Sequence, residues 1–166
     1  MQWVMPIANE LAELAPQNAE IYQRNASQLV QRLNQLDNDI SKSIAGMEKP
    51  ILVVYHDSYQ YFEKHYGLQS VAALHDHADN RVGARSLQAL FKQLDTIETG
   101  IENESERYCL LVPPAQLETG IVGQLTDDNR VQIVKTDPLG WHFEPGPDLY
   151  FNMMQELADG LSACAA

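Results

Sequence analysis

Ile51-Leu52-Val53-Val54-Tyr55-His56-Asp57-Ser58-Tyr59-Gln60-Tyr61-Phe62-Glu63-Lys64-His65-Tyr66-Gly67 is the stretch on which the architecture turns. Its first five residues are apolar and partly β-branched, as a strand buried on both faces requires, and such strands belong to parallel sheets. The polar step His56-Asp57-Ser58 then leads into a short helix that Gly67 stops. Asp57 is placed to cap that helix, its carboxylate accepting free backbone N–H groups. Outward from this unit the same alternation recurs. Ser70–Leu74 reads as a second strand, and Gly83-Ala84-Arg85-Ser86-Leu87 opens a helix running to about Glu98. Tyr108–Val112 is a third strand halted by Pro113-Pro114, Ala115–Leu125 a weaker helix, Val131–Val134 a fourth strand, and Asp148–Leu161 the closing helix. Ile101–Arg107, polar and rich in glutamate, reads as an exposed loop. Four strand–helix repeats predict an α/β fold with a four-stranded parallel sheet flanked by helices.

Upstream of Pro50 the pattern changes to helix. Pro6 to about Met47 is helical, with a break at Ala15-Pro16 because proline suits the first turn of a new helix. Beyond it Tyr22, Ala26, Leu29, Leu33, Leu36, Ile40, Ile44 and Met47 recur at steps of three or four, the stripe of one long amphipathic helix. The organisation predicted is a linking helix region over 1–48 and an α/β lobe over 49–166.

Composition narrows the function. The 166 residues are 45% hydrophobic and 20% charged, the balance of a folded domain. Eleven Lys and Arg against 23 Asp and Glu give a net charge of −12, with no local basic cluster, which argues against nucleic acid and anionic membrane surfaces as partners. No apolar run reaches the length of a bilayer-spanning helix, and Met1–Ala15 lacks a signal-peptide pattern. GxSxG, Walker, GxGxxG and HExxH motifs are all missing, and His56-Asp57-Ser58 is no triad because sequence neighbours on such a turn point apart. No nucleophile–base pair argues for an enzyme.

Ligands in open parallel sheets sit beyond the carboxyl ends of the strands. Two polar segments fall there, His56-Asp57 after the first strand and Thr136-Asp137 after the fourth. An imidazole and a carboxylate on one rim are a nitrogen and a hard oxygen suited to zinc or manganese. Each also has a plain structural reading: His56 as a hydrogen-bonded core histidine, and Asp137 as the first residue of an Asx-turn over Asp137-Pro138-Leu139-Gly140. His75 and His77, in His75-Asp76-His77, form an accessory metal candidate. His65 and His142 read as surface or packing residues. Cys109 and Cys164 are compatible with two free thiols or one disulfide.

Several segments together resemble one family, the cluster of metal-specific solute-binding proteins of bacterial zinc and manganese ABC transporters. Pro16-Gln17-Asn18-Ala19-Glu20-Ile21-Tyr22-Gln23-Arg24-Asn25 is similar to its Pro-x-Asn-Ala-x-x-Tyr-x-x-Asn helix start. His56-Asp57-Ser58-Tyr59-Gln60-Tyr61-Phe62 is similar to its His-Asp-x-Tyr-x-Tyr-Phe motif. Gly83-Ala84-Arg85-Ser86-Leu87 and Thr136-Asp137-Pro138-Leu139-Gly140 match in order and spacing. The family has two α/β lobes joined by a long helix, with metal held in the cleft; this chain resembles the helix and the C-terminal lobe. The resemblance implies His56 as a metal ligand and Asp137 as the fourth ligand or its neighbour, with Zn2+ as cargo and Mn2+ as the alternative. It also implies a Cys109–Cys164 disulfide, hence the periplasm, an ABC permease as partner, and a monomer that inserts in no membrane. Signal peptide and N-terminal lobe lie outside this sequence on that reading. Two departures stand out: Met1 falls where the family carries a histidine two residues before Trp3, and Val112-Pro113-Pro114-Ala115-Gln116 replaces its Glu-Pro-Gln segment. They keep open a divergent homologue that has lost metal binding and serves as an interaction protein.

Overall fold

In the computed structural model residues 2–75, 88, 90–92, 96, 108–117, 122–123 and 131–165 are described. The chain divides into two compact units, Met1–Lys42 and Ser43–Ala166.

In the first unit, α1 (Val4–Leu14) ends at Ala15, and a 3-10 turn over Pro16–Asn18 leads into α2, which spans Ala19–Ala45. The break falls at the expected proline, which occupies the first position of the new turn, where its missing N–H leaves no bond unmade. Polar side chains on α2 pair at helical spacing, Gln35 Nε2 donating to Asp39 at 2.9 Å.

The second unit holds a sheet of β1 (Ile51–His56), β2 (Ser70–His75), β3 (Tyr108–Val112) and β4 (Val131–Lys135), in the order β2-β1-β3-β4 with every pairing parallel. Alternate side chains go to opposite faces, and both faces are covered. Val53, Tyr55, Leu74, Leu110 and Val112 form one core with Leu90 and Val122. On the opposite face Leu52 lies beside Cys109 and Leu111 beside Val134 in register, all buried. Helix α4 (Leu149–Cys164) covers that second face with Leu157, Ala158, Leu161 and Cys164 buried. A disulfide joins Cys109 on β3 to Cys164 at the end of α4, Cα atoms 5.9 Å apart. Gly160 lets α4 approach β4 closely, since a Cβ there would stand 2.6 Å from Val134 Cγ1.

Between β1 and β2 lies α3 (Gln60–Tyr66), stopped by Gly67 at φ 68°. The buried Glu63 on α3 fixes the start of β2, its Oε2 accepting from Ser70 N–H at 2.7 Å and Ser70 Oγ at 3.0 Å. After β3, the expected helix over Ala115–Leu125 is described only as a 3-10 turn, Pro114–Gln116, and as helical residues 122–123. Helix is also seen at residues 88, 90–92 and 96, inside the stretch predicted to be helical. The Gly83–Leu87 motif and the Ile101–Arg107 loop lie outside the described residues. No helix of the described residues is long and apolar enough to cross a membrane.

Candidate metal centre

Strand order β2-β1-β3-β4 makes the chain step outward in one direction from β1 to β2, then in the other from β3 to β4. The reversal lies between β1 and β3, and in open parallel sheets the carboxyl ends at such a point form the binding crevice. His56, half-buried, is the last residue of β1 at that crevice, its ring edge-on to Tyr55 with centroids 4.8 Å apart. The segment that replaces Glu-Pro-Gln follows β3 on the other side. There Gln116, in the 3-10 turn, accepts a hydrogen bond from Tyr55 Oη at 3.0 Å.

Asp57 does not cap α3. The chain bends at once after the strand, with Ser58 N–H donating to His56 C=O at 2.8 Å. That bend delays the helix, so the cap position passes to Tyr59, which makes no side-chain cap bond. The Asp57 carboxylate instead accepts from the Gln60 side chain. Tyr59 turns inward and is buried. Its hydroxyl donates a long hydrogen bond of 3.5 Å to Thr136 Oγ1. Burial pushes this hydroxyl up to about 12; the Thr136 contact works the other way and the charge of Asp137 reinforces the rise. Thr136 is itself buried and continues the ladder, its N–H donating to Val112 C=O at 3.1 Å. One buried side chain therefore joins the loop after β1 to the loop after β4.

Asp137 follows Thr136 and is 7% exposed. The turn it opens closes with Gly140 N–H donating to Asp137 C=O at 3.1 Å. Gly140 has φ 69°, a left-handed conformation that glycine takes without steric cost, and a Cβ there would also stand 2.9 Å from Leu149 Cδ2. The carboxylate accepts from Leu139 N–H at 3.0 Å through Oδ1, and through Oδ2 from His142 N–H at 3.3 Å and His142 Nδ1 at 3.2 Å. Burial works against ionisation, but the Leu139 N–H and then the His142 ring, with the Trp141 and His142 amides, outweigh it and hold the carboxyl below its usual range. The Asx-turn is thus present, and Asp137 is also an ionised carboxylate at the rim.

His142 is exposed, as the sequence suggests, but its pairing was not legible there. Its other nitrogen, Nε2, lies 3.1 Å from Glu156 Oε2 on α4, so one imidazole links two carboxylates. The Glu156 contact is the main cause of its raised pKa; desolvation opposes it and Asp137 adds to it. A protonated ring satisfies both acceptors at once. The available signal was a histidine just beyond an Asp-Pro-x-Gly turn, short enough to fold back on the aspartate; Glu156, fourteen residues on, had none.

His56 and Asp137 therefore occupy one rim, at strands separated by β3. Two strand spacings place those strand ends roughly 10 Å apart, a gap that an imidazole and a carboxylate can span. Among the described residues no group of three or more His, Cys, Asp or Glu side chains is arranged to hold a metal ion alone. His75 ends β2 in register with His56, and His77 lies outside the described residues.

Residues 1–164 match the family model described as zinc-uptake complex component A, periplasmic. The chain belongs to this family. It is 27% identical over 158 residues to the high-affinity zinc uptake system protein ZnuA of Brucella abortus, covering 95% of this chain and 45% of that protein. ZnuA of Yersinia pestis is 25% identical over 163 residues, 98% of this chain and 48% of that one. The chain spans about half the length of the curated relatives it matches. Among solved structures, the solute-binding protein FpvC of Pseudomonas aeruginosa with Ni2+ superposes at TM-score 0.75 and 19% identity, over 96% of this chain and 56% of that chain. A ZnuA crystal structure superposes at 0.70 and 21% identity, over 96% of this chain and 54% of that chain. These structures share this chain's fold. Zinc-uptake component A proteins are solute-binding parts of transport systems.

Proposed function

We propose that the protein to which this chain belongs captures Zn2+ in the periplasm and hands it to the membrane permease of an ABC importer. On this reading residues 49–166 are its C-terminal lobe, residues 1–48 the linking region, and the metal is bound in the cleft between lobes without chemical conversion. His56 and Asp137 are this lobe's ligands. The observation that carries the proposal is a buried Asp137 carboxylate on the same sheet rim as His56, in a chain of the zinc-uptake family. A neutral imidazole and a carboxylate suit zinc, and two ligands from one lobe leave the remaining positions to the other. The protein acts as a monomer and needs no nucleic acid. His75, which ends the strand next to His56, and His77 form an accessory site on this reading.

Manganese as cargo is the nearest variant, since FpvC also superposes in a Mn2+ complex. One observation favours a second reading, a relative that binds partners and no metal: the Asp137 oxygens already have protein donors. Calorimetric zinc titration of the full-length protein, beside His56→Ala and Asp137→Ala, separates these. One-to-one binding weakened at least tenfold by each substitution is expected. Absent binding supports the metal-free relative, and binding indifferent to both removes His56 and Asp137 as ligands.

A further inference from the structure

Asp137 has spent most of its acceptor capacity inside the protein. A carboxylate oxygen offers about two lone-pair sites. Among the described residues Oδ2 has both filled, by the His142 N–H at 3.3 Å and His142 Nδ1 at 3.2 Å, whereas Oδ1 receives Leu139 N–H at 3.0 Å, with the Trp141 amide also directed at the carboxylate. The other donors are backbone amides of the turn and the residues just after it, which side-chain truncation leaves in place. Among the described residues the His142 ring is the one side-chain donor. Its Nε2 lies 3.1 Å from Glu156 Oε2, and Glu156 is carried by α4, whose end is tied to β3 by the disulfide.

We propose that His142, anchored on Glu156, is a positioning residue that sets metal preference by occupying Oδ2 and leaving Asp137 a single oxygen, Oδ1, for the cation. This rests on the reading that Asp137 is a ligand. A four-coordinate zinc site takes one oxygen from a carboxylate. Manganese favours six oxygen-rich positions, and a carboxylate that can offer both oxygens helps to fill them. A donor locked onto Oδ2 closes that option and tilts the site towards zinc. Outer-shell partners of this kind commonly change metal affinity by 10- to 100-fold.

The test uses the full-length protein and its Asp137→Ala, His142→Ala, His142→Asn and Glu156→Ala variants. Zinc and manganese affinities are measured by competition, and the visible spectrum is recorded with Co2+ in place of zinc. His142→Ala should narrow the zinc-over-manganese ratio about tenfold and weaken the visible Co2+ bands, as an added oxygen ligand does. Glu156→Ala should shift both in the same direction by less. His142→Asn should restore much of the ratio, since its amide N–H reaches the place of Nδ1. A His142→Ala ratio within twofold of the parent, or an Asn variant no better than Ala, overturns the proposal while Asp137 stands as a ligand. If Asp137→Ala leaves zinc affinity unchanged, the ligand reading falls and this inference with it. Should His142→Ala fail to fold, the Asn and Glu156→Ala variants decide by the same two readouts.

Discussion

Removing the Cys109–Cys164 bond should be the most damaging conservative change in this chain. The bond closes 55 residues of separation. In the chain-entropy account, a loop of that size restricts the unfolded chain by about 4 kcal/mol. Its partners are a central strand and the closing helix, and both cysteines are buried, at 0% and 3% exposure. Replacing both with alanine therefore also opens space in a packed layer beside Leu161 and Leu52 and adds to the entropic loss. For a domain of this size 1 kcal/mol corresponds to roughly 2–4 °C, so the double Cys→Ala variant should melt about 8–16 °C lower, followed by circular dichroism at several scan rates. Burial adds a kinetic expectation. A mild reductant should leave the native protein unchanged for hours and act quickly once denaturant opens the fold. A melting shift below about 2 °C, or rapid reduction of the folded protein, would refute this account of what ties α4 to the sheet.

Tyr59 predicts an alkaline limit. Its folded value of about 12 lies above the ordinary 10, so the fold favours the neutral hydroxyl. That contribution is complete below pH 10 and is lost as pH rises towards 12, roughly 3 kcal/mol in all. Urea unfolding at pH 9.5 and 12 should show the parent losing stability relative to Tyr59→Phe by that order; parallel losses would contradict it. Gly160→Ala brings a Cβ to 2.6 Å from the β-branched, buried Val134. Overpacking of about 1–3 kcal/mol should exceed the helix-propensity gain of about 1 kcal/mol. Adding Val134→Ala should reverse the sign of the Gly160→Ala effect, and an additive pair would show that the two sites do not meet.

The sheet was legible because its strands are short apolar runs bounded by turn residues. All four appear within a residue of their expected ends, since a strand buried on both faces leaves little freedom of register. The proline break between α1 and α2 and the Gly67 stop were legible for equally local reasons. What sequence could not carry is pairing between distant polar groups. His142 is exposed, as it read, but its pairing with Glu156, fourteen positions away on α4, left no local signal. Asp57 looked like a cap because the residue type fits, yet the strand bends before the helix starts. The cysteines show the intermediate case. Residues alone allowed two thiols or a bond, resemblance implied the bond, and register places Cys109 on the face that α4 covers. His56 and Asp137 were expected on one rim from strand ends alone; that Asp137 would already be bonded to its own turn and to His142 required coordinates.

The parallel register has a consequence for how the chain comes together in time. Ile51 on β1 sits opposite Tyr108 on β3, 57 positions further along. A ribosome or a translocating pore therefore releases the apolar Ile51–Tyr55 run long before the strand that covers one of its edges. Until then the run can pair with β2 alone and presents a sticky, charge-free edge to other chains, a hazard for aggregation. Closure of the Cys109–Cys164 bond waits longer still, for the last helix. The sheet and its covering helix are thus complete only once residues through Cys164 have emerged, and any delay between residues 75 and 108 lengthens the interval in which the Ile51–Tyr55 strand needs protection.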